Sequence, residues 1–265
     1  MIHQMEEALY QLRVKKPLIL NLTNHVTTDF VANAQLALGA LPIMSALEEE
    51  LEELIRVSSA VYINIGTLDT PFMTLVKKAL EVGCQYNKPI ILDPVGAGAT
   101  KMRKEAAQLI APFSTILRGN ASEILALGDA SFTAKGVESA HMPSDAKDIA
   151  SLLALQYQTT VIVSGPVDLI TEGHVSREVR HGSSLMQQVT GMGCAMTAVI
   201  AAFRAIQEDS FTASVIGAYY FALCGEIASL HHSYAGSFKT ALIDQLHKAD
   251  FALMQTLYDQ GAQDV

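Results

Sequence analysis

Short apolar runs alternate with segments of helical periodicity over the first two thirds of the chain. Residues 18–20, 41–44, 61–65, 90–92, 116–117 and 161–163 are apolar almost throughout, which predicts strands covered on both faces. Between them the spacing predicts helices over 28–38, 48–58, 71–84, 101–110, from about residue 121, and over 144–156. Local chemistry agrees with these starts. Thr27 or Thr28 can cap the first, three glutamates from Glu48 suit the positive end of the second, and Pro71 stands near the start of the third. Strand–helix alternation of this kind implies βαβ units around a mostly parallel central sheet. Residues 168–179, DLITEGHVSREV, break the pattern. They read as a hairpin of strands 168–171 and 175–179 about Glu172-Gly173, and so as an antiparallel edge. After residue 190 the chain reads as almost wholly helical. No repeat or Pro/Ser-rich linker divides it, so one domain is expected over residues 1–265.

Composition narrows the class. Half of the 265 residues are hydrophobic and 17% are charged, which predicts a sizeable core. The net charge is −9 and no basic run occurs, which argues against nucleic acid as a partner. Cys84, Cys194 and Cys224 are too far apart for a zinc knuckle and odd in number, as in a reducing cytosol. The amphipathic, charged N-terminus lacks the apolar run of a secretory signal, so a cytoplasmic protein is expected. Residues 211–230 are long enough to span a bilayer but carry Glu226 and no flanking basic cluster. They are expected as a buried helix, not a membrane span.

The candidate chemistry gathers at predicted strand ends, where open α/β sheets bind ligands. Asn21, Asn24, Met44, Gly66, Asp93, Arg118, Asn120, Ser164 and Gly165 stand there. The stretch TGMGC, 190–194, opens the first late helix. Gly191 and Gly193 leave backbone N–H groups free to face an anion, with the Cys194 thiol at the rim. A helix start is expected to lower the pKa of that thiol. An ordinary glycine turn before a core helix explains the same residues. Asp93 precedes the glycine loop PVGAGAT, which suits Mg²⁺ held by an acid plus phosphates, or simply a turn. The chain carries neither a P-loop nor a GxGxxG. Arg118 can reach a phosphate bidentately. Asn120 and Glu123 have capping-box spacing, and the alternative for Glu123 is to hold water on Mg²⁺. A cysteine nucleophile served by His25, His174 or His181 stays open.

Six stretches in order, NLTNHVTTDFVAN, GALPIM, ILDPVGAGAT, LRGNASEI, VIVSGPVD and VTGMGC, closely resemble the hydroxyethylthiazole kinases of the ribokinase-like superfamily. The resemblance covers nearly the whole chain. It implies a three-layer α/β fold and phosphorylation of the hydroxyl of 4-methyl-5-(2-hydroxyethyl)thiazole by Mg-ATP, in thiamine salvage. It also implies a homotrimer with sites at subunit interfaces. By motif, Asn24, Val26, Met44 and Gly191 look like the thiazole pocket, and Arg118, Ser164 and Asn120 like the ATP site. Asp93 and Glu123 look like the magnesium and phosphate environment. Gly191, Gly193 and Cys194 look like the catalytic anion hole. The superfamily's G-x-G-D places an aspartate base where this chain has Cys194, which either takes the proton or lines the pocket. Three other readings stay open: a kinase of another small heterocyclic alcohol, a nucleotide-dependent dehydratase of the same fold, and a non-catalytic thiazole or nucleotide sensor.

Overall fold

The structure is a computed structural model and describes residues 1–128 and 143–261. Among these, eight strands form one sheet in the order β2-β1-β3-β4-β5-β6-β7-β8. The first six are β1 (Leu18–Leu22), β2 (Leu41–Met44), β3 (Ala60–Asn64), β4 (Ile90–Asp93), β5 (Ile116–Asn120) and β6 (Thr160–Ser164). They pair in parallel. The hairpin β7 (Asp168–Thr171) and β8 (Ser176–Val179) closes the edge antiparallel, as expected.

Side chains alternate across the sheet, and each parity has its own helices. Ile19, Tyr62, Ile91, Ile116 and Ile162 face a core built with α1 (Ile2–Lys15), α2 (Thr28–Leu38), α8 (Met192–Arg204), α9 (Ser210–Ser229), α10 (Ala235–Lys248) and α11 (Phe251–Gly261). Leu20, Val61, Leu92, Leu117 and Val161 face the other core. Its helices are α3 (Leu51–Val57), α4 (Thr70–Gln85), α5 (Lys101–Ile110), α6 (Ala121–Leu127) and α7 (Pro143–Tyr157). The result is the three-layer α/β sandwich that continuous apolar strands imply.

Departures from the expected bounds have local causes. The expected helix 48–58 begins as a 3₁₀ turn, Glu48–Glu50, and becomes α-helical only at Leu51. There Ser45 holds the entry, its hydroxyl donating to Glu50 and accepting from Leu47 N–H. Strand β5 runs on past Leu117 to Asn120 because its backbone stays paired with β6 up to Asn120 opposite Ser164. Val175 belongs to the hairpin turn, its carbonyl accepting from Glu172 N–H and the Thr171 hydroxyl. Among the described residues α9 is the helix long and apolar enough to cross a membrane, but 78% of its apolar window is buried in the protein. It packs chiefly on α8 and α10.

Candidate active site

The parity of the strands builds the site. Five strands carry, at or near their carboxyl ends, a polar residue two places after an apolar one that faces the core containing α8. The pairs are Ile19 and Asn21, Tyr62 and Asn64, Ile91 and Asp93, Ile116 and Arg118, and Ile162 and Ser164. At the carboxyl edge the sheet therefore turns five polar groups toward the start of one helix. Parallel register sets Asn64 beside Asp93. The edge also contains a switch point, because β1 is flanked by β2 on one side and β3 on the other.

Helix α8 starts at Gly191, whose φ of +84° is a left-handed conformation that suits glycine. A Cβ there would lie 2.5 Å from Thr27 Cγ2, so the close approach also selects glycine. No side chain caps this helix, so its first N–H groups have no side-chain acceptor, and Met192 and Gly193 line the same cavity as Arg118. The Arg118 guanidinium lies against Gly193, filling the space of a Cβ at that position. Its Nη2 donates to Ser164 Oγ at 2.5 Å, while Nε is buried without a partner. Guanidinium and helix start are both donors, and together they suit an anion between them.

Behind Arg118 lies a buried acid. Asp93 Oδ2 accepts from Asn64 Nδ2 at 3.0 Å, the Thr197 hydroxyl at 3.1 Å and the Tyr62 hydroxyl at 3.2 Å. Its Oδ1 is buried without a hydrogen bond, 4.0 Å from Arg118 Nη1. Burial pushes the Asp93 pKa up to about 6; the Arg118 charge opposes this and the Glu123 charge adds to it. Cys194 stands in the first turn of α8. Its sulfur accepts from Asn64 Nδ2 at 3.2 Å and Asn24 Nδ2 at 3.6 Å. The expectation of a lowered thiol pKa is overturned. Burial, then the Asp93 charge, push the Cys194 thiol up, against hydrogen bonds from Thr27 and Asn64 and the Arg118 charge. The thiol is thus raised from its ordinary value although it stands at a helix start, and it stays protonated at neutral pH.

The other residues singled out in the sequence fall in several places. Asn24 is buried; its Oδ1 accepts from Val26 and Thr27 N–H, which shapes the turn into α2. Val26 itself is 69% exposed. Met44 lines a cavity of about 360 Å³ with Asn21, Thr23, His25 and Phe72. A second cavity, of about 450 Å³, is lined by Arg118, Ser164, Gly165, Arg180, Gly193 and Phe221. Asn120 and Glu123 form the full capping box of α6. Glu123 is committed on both oxygens, accepting from Asn120 N–H at 2.8 Å and Gly96 N–H at 2.9 Å, and so pins the glycine loop after β4. The structure thus brings together Asn24, Asp93, Arg118, Ser164, Gly191, Gly193 and Cys194. It leaves Met44 in the other cavity and Val26 on the surface.

Comparison with known proteins agrees with this geometry. Residues 9–251 match the hydroxyethylthiazole kinase family. The chain belongs to that family. A hydroxyethylthiazole kinase of Chlamydia caviae is 49% identical over 98% of this chain and its own full length. The structure of a hydroxyethylthiazole kinase from Pyrococcus horikoshii superposes with a TM-score of 0.88 at 38% identity, covering 96% of each chain. A ribokinase-like protein from Enterococcus faecalis, 13% identical, shares the fold at a TM-score of 0.65 over 90% of this chain and 86% of its own.

Asn64, Tyr62, Thr197 and Arg103 were not singled out in the sequence. Asn64 carried a signal, a lone amide in the apolar run VYINI. Arg103 donates to the carbonyls of Ile65, Val95 and Gly66 and so ties together the loops after β3 and β4. Nothing in an amphipathic helix start marked it for that.

Proposed function

We propose that the chain transfers the γ-phosphoryl group of ATP to the hydroxyl of 4-methyl-5-(2-hydroxyethyl)thiazole, giving the thiazole phosphate for thiamine phosphate synthesis. The observation that carries this reading is the uncapped start of α8 facing Arg118, with Asn24 and Cys194 beside it. Donors on one side suit a phosphate chain. A small polar niche on the other suits an alcohol.

In this reading Arg118 and Ser164 bind the phosphates, and the 450 Å³ cavity takes the nucleotide. The N–H groups from Gly191 to Cys194 hold the transferred group as charge develops on its oxygens. Asn24, Gly191, Val26 and Met44 form the thiazole side. Cys194 contacts the hydroxyl as a neutral thiol. Phosphoryl transfer rests mainly on positioning and charge stabilisation, so a weak base suffices.

A magnesium ion fits these residues through phosphate. Among the described residues no group of three His, Cys, Asp or Glu side chains could hold a metal. Asp93 Oδ1 is an unpartnered buried carboxylate oxygen, and Glu123 has both oxygens engaged. Mg²⁺ characteristically keeps several waters and binds through one or two carboxylates and substrate phosphates. Asp93 would hold it, and Glu123, whose carboxylate keeps free lone pairs beside its two bonds, would orient its water; the bound ion would neutralise phosphate charge.

A homotrimer is supported by the exposed apolar Val26, Leu41 and Leu47 around the open edge at β2, next to the Met44 cavity. A partner subunit covering that edge completes the thiazole side. Free cysteines and the absence of a basic patch in the sequence support a cytoplasmic enzyme that does not bind nucleic acid. The test is label transfer from γ-labelled ATP to hydroxyethylthiazole. ATP consumption without a labelled thiazole product overturns the reading.

A further inference from the structure

Asn64 sits at the centre of the buried site with more partners than its amide can serve. Its Nδ2 lies 2.9 Å from Tyr62 Oη, 3.0 Å from Asp93 Oδ2 and 3.2 Å from Cys194 Sγ. An amide nitrogen carries two hydrogens, so three acceptors compete for them. The Tyr62 hydroxyl has the same problem, with one hydrogen for Asp93 Oδ2 and the Cys194 carbonyl, each at 3.2 Å. The other end of Asn64 is fixed. Its Oδ1 accepts from Asn24 Nδ2 at 3.0 Å and Gly66 N–H at 2.9 Å. These two donors decide which way round the amide sits, so its N–H groups can only face Asp93, Tyr62 and Cys194. The side chain is fully buried, so these contacts are made out of contact with bulk solvent.

One amide thus joins the alcohol-side residue Asn24, the thiol and the acid behind Arg118. A sulfur that accepts from Asn64 and Asn24 has its own S–H directed away from both. Loss of the Asn64 donor frees the thiol rotor and removes one of the three hydrogen bonds that fix Asp93 Oδ2. We propose that Asn64 is a positioning residue for phosphoryl transfer, which acts through Cys194 by fixing the direction of its thiol. The proposal rests on the kinase reading above. Asn64 is fully buried and lines neither of the two cavities described above.

Two measurements test it, and one of them is independent of turnover. Asn64→Ala removes every contact of the amide, among them the one to the Cys194 sulfur; in kinetics it lowers kcat about 10-fold through that contact and leaves both KM values within about 2-fold. Combining it with Cys194→Ala gives a double variant no more than about 2-fold below the slower single variant, because both act through one sulfur. Multiplied effects overturn the proposal. Where Asn64→Ala does not fold, as its thermal melt shows, Asn64→Ser takes its place. The second measurement is iodoacetamide labelling read peptide by peptide. Asn64 donates to the sulfur and stabilises the reacting thiolate, so Asn64→Ser slows labelling at Cys194 at least about 3-fold. Labelling of exposed Cys84 stays unchanged. An equal rate at Cys194 in both proteins overturns the proposal. Absence of thiazole-dependent turnover in the wild type, with slowed labelling, leaves Asn64 as the holder of Cys194 and removes the kinase reading alone.

Discussion

The Arg118 guanidinium lies in the space a Cβ on residue 193 would need. Gly193 is therefore required by a side chain from the sheet and not by its backbone angles, since its φ is not positive. Gly193→Ala pushes the guanidinium off the helix start, at little cost in stability because the far end of a long side chain can move. We expect a melting temperature within about 3 °C of wild type, equivalent to about 1 kcal/mol. We expect kcat/KM for ATP to fall at least about 10-fold. Unchanged ATP use in a folded variant contradicts this placement of Arg118.

Asp93 gives the protein a pH signature. Its folded pKa of about 6 is raised above the ordinary 3.8. Its favourable contribution is fully present below the unfolded pKa and is lost as pH rises through about 6. Above that, the buried carboxylate destabilises the metal-free fold by up to about 3 kcal/mol. Asp93→Asn keeps an oxygen acceptor for Tyr62, Asn64 and Thr197 and removes the charge. Thermal melts in chelator are expected to show the variant gaining on wild type between pH 4 and about pH 7. A difference that does not change with pH contradicts the raised pKa.

Arg103 holds two active-site loops by three carbonyls. Arg103→Met retains much of the side-chain bulk and removes all three bonds, at about 1–3 kcal/mol. That corresponds to a melting temperature lower by several degrees. A melt within 1 °C of wild type shows that the loops are held by other contacts, such as Glu123 on Gly96.

Cys194 stays a neutral thiol at neutral pH. Cys194→Ala is expected to lose about 10-fold in kcat, with thiazole and ATP still used. A loss beyond about 1000-fold makes the thiol an essential base and contradicts its placement as a contact residue.

Much of this was legible in the chain because the strands are short and end in polar residues. The runs LILNL, VYIN, IILD, ILRGN and VIVS each carry a polar group two places after an apolar one. That parity alone puts Asn64, Asp93, Arg118 and Ser164 on one face. The α5 bounds, Lys101–Ile110, and the hairpin after Ser164 followed directly from periodicity and turn chemistry. The direction of the Cys194 pKa shift was not legible. A helix start is a local signal and lowers a thiol pKa, but burial and the Asp93 charge come from segments about a hundred residues apart in sequence. Arg103 was hidden for a similar reason. Its carbonyl partners lie on loops whose approach depends on the pairing of β3 with β4.

The most direct measurement is ADP release from Mg-ATP by the wild type, with and without hydroxyethylthiazole. Release that depends on the thiazole, together with labelled thiazole phosphate, is the expected result. ADP release that is the same with and without the thiazole, or no release from protein that still binds the nucleotide, contradicts the account.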